Sequence, residues 1–108
     1  MSNHIVTKSW INSQIDTREG AALDHFIGRA LVVLMEAQTE DEKADATTKH
    51  HNKRGFAAQD GKSGTLTAFY WLKHKRLEDW MVEKWTRPNR LAKYWRQLDA
   101  RAQMRARA

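Results

Sequence analysis

The residues whose types and spacing could do chemistry lie mostly in the second half of this chain. Lys53 and Arg54 sit in a polar segment, and Arg87, Arg90, Lys93, Gln97, Arg101 and Arg105 follow towards the C-terminus. From Arg90 onward the spacing is three or four, which on one continuous helix makes a single, mostly cationic stripe. Leu91, Trp95, Leu98 and Ala102 recur at i, i+4, i+7 and i+11 and give that helix an apolar back. Such a face suits contact with phosphates or entry into a nucleic-acid groove. A solvated surface and an acidic protein partner are the competing readings of the same pattern.

Aromatic side chains interleave with these cations. An exposed ring can stack on an unpaired base for about 1–3 kcal/mol, whereas a buried ring builds core. Periodicity places Phe69, Trp80, Trp85 and Trp95 inside. Tyr70, Trp71 and Tyr94 fall off the main stripes and are the stacking candidates. The His50-His51-Asn52 run, with Asp60, raises the idea of a metal-dependent nuclease. Neighbouring histidines seldom aim at one ion, and a metal site wants three or four convergent ligands. No metal or other cofactor is therefore expected. Asn52 and Asp60 read instead as residues that hold loop amides, and His25 reads as a core-edge residue. No nucleophile–base pair, phosphate-cradling glycine loop or paired acid–base carboxylates stand out, so the chain is expected not to be an enzyme.

Composition narrows the setting. The 108 residues suffice for one domain with a modest core, and 41% hydrophobic content with five Trp argues against wholesale disorder. The absence of Cys removes disulfides and thiolate chemistry and fits a reducing compartment. The longest apolar run, 30–35, falls far short of the roughly 20 residues that span a bilayer, and the first residues do not resemble a signal peptide. A cytoplasmic protein is expected, with no membrane partner. The net charge of +6 is uneven: residues 1–60 carry seven Lys/Arg against nine acids, and residues 61–108 carry twelve against four. Clustered cations gain affinity for polyanions by releasing counterions.

The elements that must position these groups read as all-α. The prediction is a single domain, 1–108, formed as a bundle of about four to five helices, with a helix-turn-helix-like option in the C-terminal half. Residues 5–15 suggest a helix, with a short strand or an ordered arm as the alternatives. Asp16-Thr17-Arg18-Glu19 has capping-box spacing and opens a core helix over 17–38, in which Gly28 marks a close helix contact. Residues 39–48 are either a solvated continuation of that helix or a surface link. Residues 1–48 thus lean acidic, and 49–108 form the basic, aromatic part. A turn-rich connection runs to Ser63, with Phe56 plugging the core. Helices follow from Thr65 to about Lys75, from near Leu77 to Arg87, and from Pro88 or Asn89 onward.

The run Thr48 to Asp60, containing His51-Asn52-Lys53-Arg54-Gly55-Phe56 and ending at Asp60, resembles the pattern H-N-x-x-G-F-x-x-x-D of small domains in phage-encoded proteins. In that pattern a K-Y-x-x-Q-L helix comes later, and Lys93-Tyr94-Trp95-Arg96-Gln97-Leu98 matches it. The resemblance covers about half the chain. It departs in having two histidines before Asn52 and a shorter linker near Arg76. It implies a phage origin, and partners such as DNA, RNA or a host enzyme acting on them. The expected function is a non-enzymatic nucleic-acid-binding module in the host cytoplasm. The alternative is a small protein that docks its last helix in an acidic or hydrophobic groove of a host protein.

Overall fold

The computed structural model describes residues 4–48 and 55–107. Every regular element among them is helical: α1 (Lys8–Thr17), α2 (Gly20–Thr48), α3 (Gly61–His74), α4 (Asp79–Trp85) and α5 (Trp95–Arg107), with 3-10 turns at Ala58–Asp60 and Ala92–Tyr94. Thr7 starts α1 by accepting the Trp10 amide on its hydroxyl at 3.1 Å. The expected capping box at 16–19 does not form. Asp16 and Thr17 finish α1, the chain extends at Arg18, and Gly20, at φ +57°, turns it into α2. A positive φ is open to glycine at little cost, so the start of the core helix falls there and not at Thr17.

Helix α2 is the axis of the fold. Ile27, Leu31 and Leu34 are fully buried, with Ala30, Val32 and Ala37 nearly so. Its backbone stays helical to Thr48, which makes the acidic stretch a continuation of the helix and not a link. One core cluster then draws Ile11 from α1, Ala68 and Trp71 from α3, Met81 and Trp85 from α4, and Leu98 from α5.

Helix α3 forms the most extensive helix pairing, along α2. It begins at Gly61, four residues before the expected Thr65, and two glycines lie in its first turn. Gly64 is retained by packing: a Cβ there would come 2.4 Å from Cε1 of Phe56. Gly28 plays the same part on α2, where a Cβ would meet Cγ of Trp71 at 2.1 Å. The helix contact expected at Gly28 is thus a notch that receives an indole.

That notch reverses several aromatic assignments. Close approach of two helices selects small residues on the facing side, so α3 buries Gly64, Thr67, Ala68 and Trp71. Phe69, expected inside, is 58% exposed, and Trp80 is 45% exposed. Trp71 and Tyr94, offered for stacking, are buried, and Tyr70 is half-buried. Trp85 is fully buried and Trp95 packs partly buried against the core, as periodicity predicts.

The C-terminal stretch is also broken differently. Asn89 adopts a left-handed backbone at φ +61°, a 3-10 turn follows, and α5 begins only at Trp95. Arg90 and Lys93 therefore precede α5, and the five-residue stripe does not lie on one continuous helix. The α4–α5 connection, 86–94, is also longer than the three- to four-residue turn of a helix-turn-helix motif.

Candidate nucleic-acid interface

Four of the predicted cations fall into two groups with different surroundings. The first group surrounds Asp60, whose side chain is fully buried. Arg90 Nη1 donates to Asp60 Oδ1 at 2.8 Å, Lys93 Nζ lies 2.8 Å from Oδ2, and the Tyr94 hydroxyl donates to Oδ2 at 2.5 Å. The same hydroxyl accepts the Ala57 amide at 2.9 Å. Gln97 closes the arrangement by accepting the Gly55 amide at 2.6 Å and donating to the Gly55 carbonyl at 3.0 Å. Phe56 sits 6.2 Å from Tyr94 and 6.3 Å from Trp85, ring centre to ring centre.

Asp60 was expected to hold loop amides. Among the described residues it collects side-chain donors instead, because the 90–94 segment brings two cations and a phenol to it. Burial pushes the Asp60 carboxyl up, but Lys93, Tyr94 and Arg90 outweigh burial and leave it below the usual carboxylate value. Burial and the Asp60 bond both push the Tyr94 phenol well above its ordinary range, with the Ala57 amide opposing them. Arg90, Lys93, Tyr94 and Gln97 thus clamp the 55–60 loop to the C-terminal segment. Lys53, Arg54, His50, His51 and Asn52 lie outside the described residues.

The second group lies elsewhere. A groove of about 370 Å³ opens between α1, the middle of α2 and α5. Arg101 and Arg105 line it from α5, where four residues of separation place them about 6 Å apart along the axis. Arg29 lines it from α2, and Arg18 from the end of α1. The floor is apolar: Val6, Ala30, Val33, Leu98 and Ala102. Trp10 and Phe26 add an edge-to-face aromatic pair, 5.6 Å between centroids, and Trp10 stays 39% exposed. Among the described residues no carboxylate lines the groove. Arg18 lies over the Phe26 ring at 5.1 Å and donates to Gln14 at 2.7 Å, so its guanidinium is partly oriented. Arg101 reaches Glu36 at 3.9 Å, a half-exposed pair of little energetic weight. Arg29 and Arg105 form no ion pair among the described residues.

No protein-family model, curated protein or solved structure matches the chain. No helix among the described residues is long and apolar enough to cross a membrane.

Asp99 holds the groove walls together. Its Oδ1 accepts the Ile5 and Val6 amides at 2.7 and 2.9 Å, and its Oδ2 meets His4 Nδ1 at 2.8 Å and Gln103 Nε2 at 2.9 Å. The Val6 amide leads in holding this carboxyl down. Burial opposes it, His4, Gln103 and Ile5 add to it, and the balance lies at about 2. The segment before α1 is thereby tied to α5, which sets Val6 beside Leu98 and Arg101 in the groove lining. Of the predicted site residues, Arg101 and Arg105 meet here and Arg87 is exposed outside the lining. Trp10, Arg18, Phe26 and Arg29 were not among the expected site residues, and His25, expected at a core edge, is exposed and lines the groove as well. The available signal was the stripe Phe26, Arg29, Ala30 and Val33 at helical spacing on α2.

Proposed function

We propose that this chain is a non-enzymatic nucleic-acid-binding module whose phosphate contacts are Arg18, Arg29, Arg101 and Arg105. The observation that carries this reading is that four arginines, from α2, α5 and the residue that follows α1, line one groove with no carboxylate among its described lining residues. Guanidinium matches phosphate with paired donors and keeps its charge throughout the accessible pH range. The Asp60 cluster has a supporting role: it spends Arg90 and Lys93 on a buried carboxylate and fixes the loop. The two halves of the loop-and-helix pattern, Gly55 to Asp60 and Lys93 to Leu98, touch one another through these bonds.

A gel-shift titration with a labelled oligonucleotide tests the reading. The Arg29→Gln/Arg105→Gln double variant should weaken binding strongly, whereas Arg87→Gln should leave it nearly unchanged. Absent binding, or equal binding by the double variant, would sink it.

A second reading has its own observation. Leu66, Phe69 and Leu72 are exposed on α3 and flanked by Lys62 and Lys73, with no acidic residue on that helix. Clustered exposed apolar groups commonly mark protein contact. The face would suit a host protein that presents an apolar surface with an acidic rim. Recovery of one stoichiometric protein from nuclease-treated lysate, lost on Phe69→Glu, would favour this reading over the first.

A further inference from the structure

We infer that the groove takes a single strand with an unpaired base seated on Trp10, and not a duplex; this rests on the phosphate-binding reading above. A surface that serves only a duplex backbone needs cations and hydrogen-bond donors, since the bases stay stacked inside the helix. This groove has more than that. Its arginines border a floor of aliphatic side chains, and an exposed indole opens onto that floor. Apolar floor and bare indole gain nothing from phosphate. They match the flat, weakly hydrated face of a nucleobase, which any of the common bases can present.

The aromatic geometry supports the same occupant. Phe26 meets Trp10 edge-to-face at 64°, so the indole is braced from one side while its exposed part is left available. Arg18 already lies over the Phe26 ring, the same ring that braces Trp10, so a guanidinium sits within the aromatic pair's surroundings. The volume, about 370 Å³, accommodates a base with its sugar, and arginines from α2, from α5 and from the end of α1 line the same space and can hold the adjoining phosphates. Alternation of cation and ring is the arrangement by which strands are held without sequence preference. Trp10 sits on α1, in the half of the chain whose net charge is acidic, and it is distinct from Tyr70, Trp71 and Tyr94.

The test is fluorescence anisotropy with an oligothymidylate of about 12 nucleotides, within the usual site size, an oligouridylate of the same length, the matching duplex, and inorganic polyphosphate. Either single strand should bind more tightly than the duplex. Trp10→Ala should weaken single-strand binding by about 5- to 140-fold, the range expected for one lost stack. Trp10→Phe should recover most of that loss, and polyphosphate binding should be indifferent to both variants. A preference for duplex, or single-strand binding unchanged in Trp10→Ala, overturns the inference while leaving the phosphate groove in place. Equal weakening towards polyphosphate also overturns it, because the ring would then act through the fold. If nothing binds, the phosphate-binding reading itself is lost.

Discussion

Tyr94→Phe removes one oxygen atom and isolates what the Asp60 cluster contributes. That hydroxyl donates to the buried Asp60 carboxylate at 2.5 Å and accepts the Ala57 amide at 2.9 Å. A hydrogen bond to a charged group contributes about 1.5–3 kcal/mol, and a part-buried amide left without its acceptor costs about 1–3 kcal/mol. The two losses share a site and do not add fully, so the expected destabilisation is about 2–4 kcal/mol. Against a total stability of about 5–15 kcal/mol this is large, and it corresponds to a fall in Tm of roughly 10–20 °C for a domain of this size. Urea unfolding followed by circular dichroism is the assay, and an unchanged m-value would show that the same transition is being measured. A loss below about 0.5 kcal/mol would refute the reasoning. The variant also separates two roles for this residue. A phenyl ring stacks on bases as a phenol does, so a stacking Tyr94 would tolerate the change without loss of stability.

Three further outcomes follow from the packing and the charges. Gly28→Ala should destabilise the fold by about 1–3 kcal/mol through overpacking against Trp71, despite the gain of up to about 1 kcal/mol in helix propensity; thermal unfolding reads the sign. Phe69→Ser should shift stability by no more than about 0.5 kcal/mol, because the ring is 58% exposed, where a core Phe would cost several. The Val6 amide, with His4, Gln103 and Ile5, holds the Asp99 carboxyl down to about 2, below the usual carboxylate range. The contribution of that carboxylate is therefore present above the usual carboxylate range and is lost progressively as pH falls through that range towards 2. Unfolding free energies measured through that window should fall less steeply for Asp99→Asn than for the wild type.

The helical class and the central helix were legible because α2 carries a long apolar pattern that only a buried helix satisfies. The importance of Gly28 was legible for the same reason: a lone glycine in a strong helix needs a packing cause. The orientation of α3 was not. Leu66, Phe69 and Leu72 look like an inner face until Trp71 is known to fill the Gly28 notch, a contact between residues 43 apart in sequence. The stripe from Arg90 to Arg105 misled because its spacing presumes an unbroken helix, whereas Asn89 and the 3-10 turn delay α5 to Trp95. The groove was half legible. Arg101 and Arg105 stood out in a basic tail, while Arg18 and Arg29 were hidden by the acidic balance of the first sixty residues. Much of that acidity lies in Glu40, Asp41, Glu42 and Asp45, beyond the part of α2 that borders the groove.

The central claim, that four arginines act together on phosphates, is tested most directly by the salt dependence of single-strand binding. Each phosphate neutralised contributes about −0.7 to the slope of log Kobs against log salt. Four contacts predict a slope near −2.8, or about a 50-fold loss of affinity for a fourfold rise in salt. Arg105→Gln should bring the slope to about −2.1, and Arg29→Gln/Arg105→Gln to about −1.4. A slope near zero, or one that these substitutions leave unchanged, would contradict the account.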